Sequence, residues 1–130
     1  MFGKVISTLL KANGSLTALV ASTNIYPYVI NENVSFPAIV YTIDGIEPEY
    51  TKDGWTSDSL TFSVVSFSKN YSDLQDIATQ VRAALELISG TTEGVTYWNI
   101  LLTAQSEGFG IDDDIYFNKL TFETEITNYS

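Results

Sequence analysis

Cysteine and histidine are both missing from this 130-residue chain. Without thiols there is no disulfide, no thiol nucleophile, no thiolate metal site and no iron–sulfur cluster. Without imidazole the usual zinc ligand, the Ser-His-Asp triad and the commonest general base are gone as well. Basic residues are scarce: six Lys and Arg stand against 16 Asp and Glu, for a formal charge of −10. That balance argues against gripping phosphate backbones, because such affinity comes from cations displacing counterions, and against an anionic membrane surface. No apolar run approaches the ~20 residues of a transmembrane helix. The first ten residues hold one Lys and a short apolar stretch with no small-residue cleavage pattern after it, so no signal peptide is expected. Repeats, linkers and low-complexity tracts are absent too.

What is present suits a folded protein. Apolar residues make up 45% and aromatics 13%, enough for a core rather than a disordered chain. At this length one domain, 1–130, is expected, since two cores would each be too small. Residues 2–12 place Val5, Ile6, Leu9 and Leu10 on one helical face, and Asn13-Gly14 stops the helix. Ser15 is the expected N-cap of a second short helix through Leu16, Leu19 and Val20. Residues 25–30 read as an extended edge segment, because Pro27 cannot donate to a central ladder. Residues 38–43, β-branched and aromatic, read as a central strand. The polar stretch 44–59 contains Lys52-Asp53-Gly54-Trp55, a hairpin-turn signal, and reads as a protruding hairpin or loop.

Leu60, Phe62 and Val64 alternate along a further strand, 60–68, whose slip at Val65 and Phe67 implies a bulge or burial on both faces. Residues 71–89 form the clearest helix: Leu74, Ile77, Ala78, Val81, Leu85 and Ile88 recur at helical spacing. A Ser72/Gln75 capping box opens it and Gly90 closes it. Strands follow at 97–104 and 115–127, separated by a Gly/Asp-rich turn at 107–114. In the last strand Leu120, Phe122 and Ile126 point inward, with Lys119, Glu123 and Glu125 toward water. The expected class is α+β: a mostly antiparallel sheet of four to five strands with two to three helices on one face, and acids on the other face and in the turns.

Chemistry has few candidates. Asp112-Asp113-Asp114 is the one concentration of hard metal ligands, but the acids are consecutive and no turn glycine is present, so a solvated turn is the reading and no metal is expected. The pairs Glu47/Glu49 and Glu123/Glu125 match glycosidase carboxylates only in type, since i, i+2 spacing puts each pair on a solvent face where nothing tunes it. Gly108-Phe109-Gly110 lacks the Lys-Ser/Thr of a phosphate loop. Tyr26, Tyr28, Tyr41, Tyr50, Tyr97 and Tyr116 read as sheet residues rather than base-stacking platforms, for want of cations beside them. Neither a catalytic residue nor a cofactor is expected. Trp55, beside the turn tip, either folds back over the sheet or stands out as an anchor. In the second case Tyr50, Asp53 and Trp55 form the candidate subunit or partner interface.

Three stretches carry a resemblance. They are Leu16-Thr17-Ala18-Leu19-Val20 leading to Ile25-Tyr26-Pro27, then Phe36-Pro37-Ala38-Ile39-Val40-Tyr41, and then residues 60–68 running through Tyr71-Ser72-Asp73-Leu74 to Val81-Arg82-Ala83-Ala84-Leu85. Together with the closing strand at 115–126 they resemble the tail-completion proteins of long-tailed bacteriophages, also called tail terminators or head–tail joining proteins. The resemblance implies a non-enzymatic virion subunit that forms a ring, a hexamer, on the end of the tail tube. It further implies that the ring halts tube growth and offers the surface for the DNA-filled head. The implied partners are further copies of the chain, the tail tube protein and a head-completion or connector protein. DNA would pass through without specific binding, no membrane is involved, and assembly would take place in the host cytoplasm. Two other classes fit the composition: an acidic inhibitor or immunity-type module that masks a basic partner, and an enzyme built from carboxylates and tyrosines alone.

Overall fold

The computed structural model describes residues 2–28, 36–50, 56–111 and 114–127; of residues 49, 50 and 56 only the backbone is described. Helix α1 (Phe2–Ala12) is followed by α2 (Gly14–Leu19), a single 3-10 turn (Ser22–Asn24) and strand β1 (Ile25–Pro27). Then come β2 (Ala38–Tyr50), β3 (Thr56–Ser68), α3 (Tyr71–Leu85), β4 (Gly90–Thr92), β5 (Val95–Gly110) and β6 (Ile115–Thr127). The strands form one sheet in the order β1-β2-β3-β6-β5-β4. The pair β1–β2 is parallel and all the others are antiparallel.

The α+β class is as expected, but the sheet is larger than four to five strands and is mixed. The added strand is β4, three residues of a Gly/Thr stretch with too little apolar pattern to be read as a strand. Strands β2, β3 and β5 outrun their expected bounds along polar stretches. Strand β2 continues to Tyr50 and β3 starts at Thr56, so most of the polar stretch 44–59 is a paired hairpin. Likewise 107–110 belongs to β5, not to a turn.

The core lies between the helices and one sheet face. Phe62 and Phe122, fully buried, stack with centroids 5.2 Å apart on neighbouring strands, and Phe2 from α1 meets Phe62 at 5.3 Å. Val5, Ile6 and Leu10 of α1 and Ile77, Val81 and Leu85 of α3 belong to the same cluster. At 15 residues α3 presents the buried stripe Leu74, Ile77, Ala78, Val81 and Leu85, as its spacing predicts.

The caps differ from expectation by two residues. Asn13, not Ser15, caps α2 by accepting from the Leu16 N–H. Asn70, not Ser72, caps α3 by accepting from the Asp73 N–H. Asparagine caps as well as serine does, so the Asn that comes first in each run takes the position. Gln75 therefore does not close a capping box and instead donates to the Tyr71 hydroxyl at 2.7 Å. Nor does Gly90 close the helix: Glu86 is its C-cap, Leu87 takes φ 62°, and Gly90 opens β4.

Register explains the slip in β3. That strand pairs without interruption to both neighbours. Ser66 and Ser68 occupy the buried helix-side positions while Val65 and Phe67 sit half-buried on the opposite face. The bulges lie elsewhere, at Ile43/Gly45 in β2 and at Trp98/Leu101 and Leu102/Ala104 in β5. On that opposite face Gly108 of β5 lies across from Phe117 of β6. A Cβ there would come within 2.6 Å of the Phe117 ring, so the ring covers the glycine.

Candidate assembly interface

Tyr50 and Thr56 are the last paired residues of the β2–β3 hairpin. Asp53 and Trp55 lie outside the described residues, and for Tyr50 only the backbone is described. The hairpin thus brings the two ends of the segment that holds the expected interface together at one end of the sheet.

A second surface carries no motif in the sequence. On the sheet face away from the helices, Trp98 and Leu101 of β5 are 46% and 50% exposed. They flank the β5 bulge beside Glu123 and Glu125 of β6 and Ser59 of β3, around a shallow groove of about 370 Å³. The Ser59 hydroxyl donates to Glu123 at 3.2 Å. Both glutamates are exposed, as their alternation with Phe122 and Ile126 predicts. The signal lay in Leu101-Leu102: consecutive leucines in a strand point to opposite faces, so one of them must leave the core. Exposed aromatic and apolar groups rimmed by polar residues are the kind of patch that marks interaction sites.

The far end of the sheet carries a third feature. The Tyr116 ring packs against Phe109 and Tyr71 at centroid distances of 4.6 and 5.3 Å. The Tyr71 hydroxyl donates to Glu107 at 2.6 Å. That bond, followed by burial, raises the Tyr71 phenol above its ordinary pKa, because it is made by the protonated form. Ile111, 86% exposed, projects from the adjoining turn.

Between α3 and the sheet a polar cavity of about 110 Å³ is lined by Gln75, Thr79, Arg82, Gln105 and Asn118. Asn118 is 2% exposed and its Oδ1 has no protein partner there. Arg82 is engaged elsewhere, its Nε donating to Glu86 at 2.6 Å.

Among the described residues no cluster of three or more Asp or Glu is arranged to hold a metal. Of the aspartate run only Asp114 is described: it is exposed, at φ 56°, and its N–H donates to the Gly110 carbonyl. No described helix is long and apolar enough to cross a membrane. Of the tyrosines expected in the sheet, Tyr41 and Tyr97 are buried and Tyr26 and Tyr116 half-buried, but Tyr28 is 60% exposed just past β1.

Solved structures share this architecture. A chain from the virion of a native gene transfer agent particle superposes with a TM-score of 0.78 at 16% identity, over 93% of this chain and 90% of its own. A second solved protein of no stated function gives a TM-score of 0.61 at 10% identity, over 98% of this chain and 97% of its own. No curated protein matches the sequence closely enough to count as a relative. The family model of tail completion protein gp17 matches residues 4–124, nearly the whole length, so the chain belongs to that family and is a phage structural protein of the virion tail and neck.

Proposed function

We propose that this chain is the ring subunit that ends the tail tube and presents the surface to which the head is joined. Membership of the tail completion family over residues 4–124 carries the reading. The gene transfer agent virion chain with the same fold supports it, as do the adhesive patches at Trp98 and Leu101. On this reading the chain acts by covering surfaces. The ring, a hexamer of this chain, seats one face on the last tube subunits and the other on a connector protein of the neck. An acidic inhibitor module needs no such family and is the weaker reading.

Electron microscopy of the purified protein mixed with tail tubes tests the function. One added ring at a tube end, with no further growth on adding tube protein, is the expected picture; tubes that elongate unchanged overturn it.

The segment that joins β2 to β3, with Tyr50, Asp53 and Trp55, belongs to the same proposal as a contact with the tube or the next subunit. In a Trp98→Phe background Trp55 is the one remaining tryptophan. Its emission is expected to be red in the free subunit and to shift to the blue on assembly, as water leaves the indole. A blue-shifted maximum in the isolated subunit would mean that Trp55 packs within the monomer.

A further inference from the structure

Two stretches of strand edge lack a partner among the described residues, and they lie diagonally across the sheet. On one side β4 covers β5 only at Val95, Thr96 and Tyr97, and the Leu87 N–H and Ile88 carbonyl bond to Ile100. Beyond that, 102–110 pairs with β6 alone. Within it residues 103–107 are all exposed. On the other side β1 covers β2 at Ile39, Val40 and Tyr41, and the Tyr28 hydroxyl accepts from the Ile43 N–H. From Asp44 onward β2 pairs with β3 alone, and residues 44–48 are exposed. Pro48 leaves this edge one N–H short. Open edges of this length are templates for another strand.

We infer that the open edge of β5 in one copy of this chain pairs antiparallel with the open edge of β2 in the next. The inference rests on the ring reading above and says which surfaces close the ring. Strand direction supports it. From β2 through β3 and β6 to β5 every neighbour is antiparallel, so β5 and the β2 of a following copy run antiparallel if the sheet continues. Two different edges, one donating and one receiving, make a head-to-tail contact, the kind that generates rings.

Stagger supports it too. Ser106 shares a rung with Lys119, Val65 and Val40, on the face away from the helices. The open part of β2 begins further along, and its same-face residues there are Gly45 and Glu47. Pairing Ser106 with either one offsets neighbouring sheets by about four to six residues. At ~3.3 Å per residue along and ~4.8 Å per strand across four strands, that offset tilts the strands by roughly 35–45°, the range in which sheets close on themselves.

The absence of native cysteine makes the test direct. Gly45→Cys is sterically free, since a Cβ there meets nothing within 4 Å. It is combined with Ser106→Cys in one chain, and Glu47→Cys with Ser106→Cys in a second. Assembly is followed by light scattering and by microscopy with tail tubes, and the thiols are then oxidised or bridged with a short bifunctional reagent. The expected result is a reducible ladder of covalent oligomers up to the full ring from at least one double variant and from none of the single variants. Intact rings without a ladder overturn the edge pairing and leave the ring standing. Covalent dimers from Ser106→Cys alone mean that two β5 edges pair symmetrically, which also overturns it. A chain that stays monomeric in solution and on tubes removes the ring reading and this inference with it.

Discussion

Val81→Asp is expected to lose most or all of its folded population at temperatures where the parent chain is stable. Val81 has no exposed surface and sits in the middle of the α3 stripe, in the same cluster as Phe62 and Phe122. The α3 guanidinium does not serve a carboxylate there, because it is held by Glu86 on the exposed side of the helix. An uncompensated buried charge costs about 3–5 kcal/mol after relaxation. For a chain of this size, with an unfolding entropy of about 2.1 cal/mol/K per residue, that is a fall in Tm of roughly 10–20 °C. The control is Ala83→Asp, which puts the same charge on the exposed face of the same helix. Its expected cost is below about 1 kcal/mol. Thermal melts by circular dichroism separate the two, and equal melting temperatures would mean that α3 does not pack on the sheet through Val81.

The contrast between these two positions shows what the sequence makes legible. Where one face meets the core and the other meets water, the period of the apolar residues locates the element: α1 and β6 have the bounds that their patterns predict, and α3 starts where expected but ends four residues early. The pattern fails where both faces have the same environment. Residues 44–50 and 107–110 are strands of mainly polar composition, so the first reads equally as hairpin or loop and the second as a turn. Their backbone is held by pairing to one neighbour, a tertiary term that no local propensity records. Those two stretches also lie on the strand edges that have no partner among the described residues. Local composition does not place Trp98 and Leu101 either. Their burial depends on the β5 bulges, and bulges shift which face a residue takes without marking the composition.

Charge gives the second large expectation: neither the free subunit nor its assembly binds duplex DNA at physiological salt. A sequence-independent DNA binder reaches a Kd of about 10⁻⁴ to 10⁻⁶ M by placing several cations along one phosphate track. The described cations of this chain do not form a track. Lys4 and Lys11 lie on α1, Lys69 follows β3, and Arg82 on α3 is paired with Glu86. Lys119 is the one on the sheet face away from the helices, which it shares with Glu47, Glu123 and Glu125. Multiplying a subunit of charge −10 around a ring multiplies the repulsion. A wall that repels phosphate suits a passage through which a genome slides, since each bound counterion-releasing contact would have to be broken at every step. Fluorescence anisotropy with a labelled duplex, run on subunit and assembly across a salt series, measures this. The expected trace is flat up to about 100 µM protein, the weak end of non-specific binding, and stays flat where salt is lowered enough for ordinary basic proteins to saturate. Micromolar binding by the assembly would show that its few cations converge on the passage and would overturn the sliding-wall account, while membership of the tail completion family would stand.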